Sequence, residues 1–534
     1  MSKLMKAQAT NMPSLHADRL IVATNRGPVE YYVTKQAILK SRRGSGGVIT
    51  ALIEANSQME MSWVAMAMTE GDRLAVKEAQ SQGEHLSSPI HGQKVQLHYV
   101  AIAKAAYRKH YNKISNRLLW FLQHYLSNPA EDSTTKKWIQ DAWENGYRVA
   151  NQAIADAVIA EIASEPTKKS VVMLHDYHLY LAPAMIRQHH PTMILQQFIH
   201  IPWPDVRCWH FLPGNIAREI YQGLVGNDLI GLQTERDVHN FLEGAQTLLE
   251  GAEVDFEDGV IVWQGHRARA RAYPISISVT SERKVVNSAA GKRAAEKMKL
   301  LLGEQTIMRV DRIEPSKNIL RGFQAYEQLL EDHAELREKV NFLAFLVPSR
   351  QSLPEYTRYT ADVMKMIDDV NQEYGTADWQ PITAFCDNDR TRALAAMQFY
   401  DVLLVNPIID GMNLVAKEGP VVNQTNGVLV LSRTVGTFQQ LGKASVPTSP
   451  IDVEETGQAL YRALTMSTEE RHSKATLARL TVERQDLATW MCQQVLDMNE
   501  LLDILPKDLQ ADCEGPINAN TSDLTAQIVS ELRV

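Results

Sequence analysis

Residues 406–418 read NPIIDGMNLVAKE and bring together a carboxylate, a glycine and a helix-prone segment. The apolar run Val402–Leu403–Leu404–Val405 just before them has the length and composition of a buried strand. Asp410–Gly411 makes a turn, and a helix is predicted from Asn413 onward. The first backbone N–H groups of a helix have no intrahelical partner, and the positive end of the helix dipole lies beside them. Such an end suits an anion such as a diphosphate. Glu418, about one and a half turns further on, is placed to reach a ribose diol. The same residues also fit an ordinary strand–turn–helix with a solvated aspartate.

Other charged residues fall at the ends of apolar runs in the same way. Arg312 and Lys317, in DRIEPSK after the run Thr306–Val310, can clamp a diphosphate. Arginine supplies a fixed fork of donors and lysine a point charge. A solvated charged loop is the alternative. Arg350, in VPSR, also ends a strand and, facing Arg26, can hold a separate phosphate. Arg26 stands in Asn25–Arg26–Gly27–Pro28 after the first strand, followed by Arg42, Arg43 and the turn Ser45–Gly46–Gly47 before a predicted helix (VITALIEAN). Glycines let a ligand approach the backbone, although this is neither a GxGxxG nor a Walker loop. His175–Asp176–Tyr177–His178 follows one strand and His200 ends another. No third and fourth ligand has persuasive spacing for a metal. A carboxylate and a histidine gripping sugar hydroxyls fits the adjoining phosphate sites better. Tyr111 and Trp120 lie on a predicted helix (HYNKISNRLLW) and, from spacing alone, read equally as core aromatics.

The elements that must position these residues alternate. Candidate strands are Leu20–Ala23, Val171–Leu174, Ile194–Ile199 and Leu229–Leu232, then Thr306–Val310, Phe342–Val347, Val402–Val405 and Val428–Leu431. Amphipathic helices lie between them; in 318–332, Ile319, Phe323, Tyr326 and Leu330 share a face. Alternation of this kind predicts an α/β class with parallel sheets. A chain of 534 residues is too long for one core. The polar, helix-prone segment 280–300 separates two series, so the expected organisation is a mobile tail over 1–18, domains over 19–278 and 279–500, and an appendage over 501–534. Whether that appendage makes a homo-oligomer contact is left open. A net charge of −8 argues against nucleic acid as a substrate. Four scattered cysteines without CxxC give neither a zinc cluster nor a disulfide framework, which points to a reducing cytoplasm. No signal peptide or membrane span is read from the chain.

Taken together, NRGP, SGG, YNxxSNxxLW, LHDYHL, HIPWP, GLQTE, YPI, the spaced Arg312 and Ser316–Lys317, PSR and DGMNLVAKE resemble the trehalose-6-phosphate synthase family of retaining glucosyltransferases, over residues 19–498. The resemblance implies a GT-B architecture, two facing Rossmann-like domains with the active site in the cleft between them, and no metal or other cofactor. It implies that Arg312 and Lys317 bind the donor diphosphate, with Gly46 and Gly47 near the donor. Asp410 and the backbone of Gly411, Met412, Asn413, Leu414 and Val415 would hold glucose and phosphates, and Glu418 the ribose. Arg26 and Arg350 would hold the acceptor phosphate, while Asp176, His200, Tyr111 and Trp120 line the acceptor and reaction centre. Catalysis would rest on Arg312, Lys317, Asp176, His200 and Asp410. The chain departs from the family where Trp63–Val64–Ala65–Met66 lacks a second tryptophan, at Ser276, at Glu314–Pro315 and Asn318, and over Trp203–Trp209. Bulky Arg207 and Trp209 are expected to shrink the acceptor pocket. These segments resemble the branch that joins ADP-glucose to glycerol 3-phosphate in compatible-solute synthesis under salt stress. A separate phosphatase would act downstream, since no DxDxT motif is present. The alternatives are ADP- or UDP-glucose with glucose 6-phosphate, and a catalytically silent regulatory subunit, against which Arg312, Lys317, Asp410 and Glu418 argue.

Overall fold

The computed structural model describes residues 13–36, 38–43, 60–82, 86–87, 95–127, 136–351 and 353–502. The chain divides into two compact units. One runs to Tyr273 and resumes at Trp490; the other spans Pro274–Thr489. The division therefore falls after Tyr273 instead of 278, and the chain returns to the first unit ahead of residue 500.

The first unit contains β1 (Arg19–Thr24), β2 (Val29–Val33), β3 (Leu39–Arg43), β4 (Glu60–Met66), β5 (Leu86–Ser87) and β6 (Val95–Val100). It continues with β7 (Ser170–His175), β8 (Ile194–Phe198), β9 (Leu229–Leu232), β10 (Glu253–Asp255), β11 (Val260–Trp263) and β12 (His266–Ala272). Among the described residues, β2 and β3 form a separate hairpin and the rest make one sheet in the order β10-β11-β12-β9-β8-β7-β1-β4-β6-β5. From β12 to β6 the neighbours are parallel. Every residue of β1 and β7 is buried, as expected of parallel strands covered on both faces. β12 solves the same problem by alternation: in HRARARA the alanines 268, 270 and 272 are buried and the arginines point outward. The helix Leu487–Leu501 closes the unit: the Trp490 ring meets Phe198 edge-on at 5.1 Å, and Gln196 Nε2 donates to Gln494 Oε1 at 2.6 Å.

The second unit is built on β13 (Gln305–Arg312), β14 (Val340–Val347), β15 (Ile382–Phe385), β16 (Val402–Val405), β17 (Val428–Ser432) and β18 (Ser445–Thr448). They are parallel, in the order β15-β14-β13-β16-β17-β18. The helix Ile319–Asp332 buries Ile319, Phe323, Tyr326 and Leu330 on its expected face. The polar segment 280–300 folds as two helices, Val279–Asn287 and Ala289–Lys299, N-capped by Ser278 and Ser288. Val279, Val286 and Met298 join the core of this unit. Two Rossmann-like units of this kind constitute the GT-B fold.

Cys208 and Cys386 are free thiols, whereas Cys492 is disulfide-bonded, a bond that the reading of no disulfide framework did not foresee. Among the described residues no helix is long and apolar enough to cross a membrane.

Candidate active site

Doubly wound sheets bind ligands beyond the carboxyl ends of their strands, where the strand order reverses. In the second unit that point lies between β13 and β16, and Arg312, Lys317 and Asp410 all stand at it. Lys317 Nζ donates to Asp410 Oδ2, to which Asn413 Nδ2 also donates at 3.1 Å. An ammonium has three donors, so Lys317 can keep Asp410 and still face a phosphate. Its turn is built on Arg309, whose guanidinium is fully buried. Arg309 is paired with Asp311 at 2.9 Å and donates to Lys317 O at 3.1 Å and Ile319 O at 3.2 Å. The loop carrying Asp410 is pinned by Ile408 N to Ser316 O at 2.9 Å, Gly436 N to Asp410 O at 3.1 Å and Thr437 N to Met412 O at 3.3 Å.

Asn413 has φ +63°, so the helix begins at Val415 instead of Asn413. Asn413 Oδ1 accepts from Ala416 N at 3.3 Å. Gly411, Met412 and Asn413 are buried, whereas Leu414 and Val415 are partly exposed. Asp176, Asn318, Arg350 and Asn413 are four of the eight described non-glycine residues with positive φ. Backbone strain of this sort gathers at ligand sites, and these four lie in the segments that follow β7, β13, β14 and β16.

Arg312 and Arg350 both turn to Glu314, whose side chain is fully buried. Arg312 Nη1 lies 2.8 Å and Arg350 Nη1 3.5 Å from Glu314 Oε1, and Ser349 Oγ donates to that oxygen at 2.8 Å. Burial pushes the Glu314 carboxyl up, but Arg312, Arg350 and Lys317 outweigh it and hold the pKa down at about 2. Arg350 also donates to Tyr356 Oη at 2.6 Å. Glu418 is 3.4 Å from Arg390, which also bonds Glu282. Burial, and then the Glu282 charge, push the Glu418 carboxyl up to about 7 against the pull of Arg390. Lys417, beside it, is buried and donates to Ile275 O at 2.7 Å.

In the first unit the strand order reverses between β1 and β7. Asn25 and exposed Arg26 follow β1, and Asp176–His178 follow β7. Asp176, with φ +72°, accepts from His200 N at 3.3 Å through Oδ1, and its Oδ2 is 3.9 Å from His178 Nδ1. His175 Nδ1 and His200 Nε2 are 3.3 Å apart. Burial holds His175 down at about 4 and His200 well below the usual histidine range, so both are neutral near pH 7. The helical stretch from Lys104 to Gln123 opens into π geometry over Lys109–Leu119. Tyr111 stacks on Tyr107 at 5.6 Å and on His178 at 5.8 Å, and Asn25 reaches Tyr107 and His110 at 3.4 and 3.3 Å. Arg26, Tyr111, Asp176 and His200 thus gather at the strand ends of this unit.

Other expected residues stand elsewhere. Trp120 is enclosed in the core, stacked on His124 at 4.0 Å, and meets Tyr177, after β7, at 5.7 Å. Trp209 is wholly enclosed beside Trp203 and Tyr221, and the Arg207 side chain is 85% exposed and pairs with Asp205 at 2.9 Å. Trp209 therefore narrows no open pocket, being part of the core, and Arg207 is exposed to solvent. Gly46 and Gly47 lie outside the described residues. Glu314, Arg309, Arg390 and Tyr107 did not stand out in the sequence. Glu314 had a signal in its place between two cations, and Tyr107 in its spacing of four from Tyr111. Among the described residues no three His, Cys, Asp or Glu side chains are grouped to hold a metal ion.

The model of glycosyltransferase family 20 matches residues 18–500. A bifunctional trehalose-6-phosphate synthase/phosphatase of Thermoproteus tenax is 30% identical over 88% of this chain and 62% of its own length. The chain therefore spans about three-fifths of that relative. A validamine 7-phosphate valienyltransferase of Streptomyces hygroscopicus is 27% identical over 84% of this chain and 88% of its own. Among solved structures, a trehalose-6-phosphate enzyme of E. coli bound with UDP-2-fluoro glucose superposes with a TM-score of 0.76 at 24% identity. That match covers 92% of this chain and all of the other, and it speaks for the fold. By the extent of the family match, the chain belongs to glycosyltransferase family 20.

Proposed function

We propose that the protein is a glucosylglycerol-phosphate synthase, a retaining glucosyltransferase that moves glucose from ADP-glucose to glycerol 3-phosphate. The observation that carries the transfer chemistry is Lys317, held by Asp410 beside the Asn413 turn at the reversal point of the second sheet. As the donor's glycosidic C–O bond breaks, negative charge grows on the β-phosphate of the departing ADP. Lys317, Arg312 and the backbone N–H groups of Gly411–Val415 stabilise that charge where it develops. The acceptor hydroxyl attacks on the face the phosphate leaves, and that phosphate takes its proton. Configuration at the anomeric carbon is retained, and the scheme requires no metal. Glu418 grips the ribose, Arg26 and Arg350 the acceptor phosphate, and Asp176 and neutral His200 the acceptor hydroxyls.

The choice of glycerol 3-phosphate rests on the sequence departures from the trehalose-forming pattern. Buried Met66 stands where the family pattern has a second tryptophan. The name of the Streptomyces relative, with validamine 7-phosphate in it, supports acceptor variation within the family. The name of the Thermoproteus relative favours a second reading, synthesis of trehalose 6-phosphate from glucose 6-phosphate. Incubation with each pairing of ADP- or UDP-glucose with glycerol 3-phosphate or glucose 6-phosphate, with products weighed by mass spectrometry, separates the two. Glucosylglycerol phosphate from ADP-glucose is expected. Trehalose 6-phosphate as the main product would establish the second reading, and no product from any pairing would reject both.

A further inference from the structure

Glu314 is an unusual carboxylate. Its side chain is fully buried, yet its contacts from Arg312, Ser349 and Arg350 all fall on Oε1. Oε2 is buried without a hydrogen-bond partner. A buried carboxylate oxygen left bare is costly, so the group is not arranged for its own best solvation. It is arranged so that one oxygen faces two guanidiniums coming from the ends of two adjacent strands, β13 and β14. Arg350 reaches that oxygen from a left-handed backbone position, φ +43°, which a non-glycine residue seldom adopts. Ser349 Oγ donates to the same oxygen at 2.8 Å.

We propose that Glu314 is a positioning residue that aims Arg312 and Arg350 together, so that the donor-phosphate and acceptor-phosphate contacts are set by one shared acceptor oxygen. This rests on the roles given above to the two arginines. Because Oε2 makes no hydrogen bond, glutamine can place its amide nitrogen there and its oxygen at Oε1, keeping every contact without the charge.

The test is steady-state kinetics on Glu314→Ala and Glu314→Gln, with Arg312→Ala and Arg350→Ala as controls and folding checked by circular dichroism and melting. Charged hydrogen bonds of this kind change affinity by about tenfold or more. Glu314→Ala is expected to raise the KM for donor and acceptor together, each by about tenfold, and Glu314→Gln to recover most of that loss. Arg312→Ala should act chiefly on the donor and Arg350→Ala chiefly on the acceptor. If the controls behave so but Glu314→Ala moves only one KM, or neither, the shared-positioning role is wrong. A melting temperature that falls in Glu314→Ala with both KM values unchanged would likewise reduce Glu314 to a structural residue. If the controls themselves show no such division, the assignment of the two phosphate sites has failed, and this proposal with it.

Discussion

Lys317 uses one of its donors on Asp410 and has two more to offer a ligand. Replacing it by alanine removes charge from the place where the leaving phosphate develops it. Lys317→Ala should lower kcat by about 100-fold, on the scale of losing one preorganised oxyanion donor. Near-normal turnover in the folded variant would refute that role. Glu418 predicts a pH effect of definite sign. Its folded pKa of about 7 lies above the ordinary 4.5, so its contribution to stability is greatest below 4.5 and is lost as pH rises through 7. Binding runs the other way, because accepting two ribose hydroxyls suits the ionised carboxylate. ADP affinity should fall by about tenfold from pH 8 to pH 6 in the wild type and stay weak and flat in Glu418→Gln. Equal slopes in a calorimetric titration of the two proteins would contradict the assignment.

The elements hold these residues through a few crowded contacts. Gly322, in the helix Ile319–Asp332, is one: a Cβ there would lie 2.3 Å from Arg309 Nη1. Arg309 is fully buried and tied to Asp311, Lys317 O and Ile319 O, so it has nowhere to move. Gly322→Ala should cost about 1–3 kcal/mol by overpacking and depress kcat through the Lys317 turn. A variant with unchanged denaturation midpoint and turnover would show that Arg309 does not hold the turn. β16 and β9 were readable to the residue because an unbroken apolar run flanked by turns has one interpretation. β12 was not, because three of its residues are arginines and only the alternating alanines face the core. Arg312 and Lys317 stood out as cations at a strand end. Glu314 did not, since its burial depends on Ser349 and Arg350 arriving from the next strand. The left-handed turn at Asn413 moved the helix start by two residues, a matter of one backbone angle. Tyr111 and Trp120 could not be sorted by spacing because the π turn over Lys109–Leu119 changes which residues share a face.

At the scale of the whole molecule, Arg312, Lys317, Asp410 and Glu418, proposed to hold the donor, belong to the second unit and Asp176, His200 and Tyr111 to the first. Alternating strands and helices made two such units readable. The return of the chain to the first unit at Trp490 was not, because the helix Leu487–Leu501 carries no mark of which sheet it covers until Phe198 and Gln196 are seen against it. Family membership fixes the kind of catalyst but leaves the acceptor to be decided, and of Arg207 and Trp209 the first is exposed to solvent and the second enclosed in the core. Acceptor choice is therefore what remains to be measured. The most direct measurement sets glycerol 3-phosphate and glucose 6-phosphate in competition for limiting ADP-glucose in one reaction and counts both products. At least a tenfold excess of glucosylglycerol phosphate is expected, a difference of about 1.4 kcal/mol or more in transition-state binding. Equal amounts, or an excess of trehalose 6-phosphate, would contradict it.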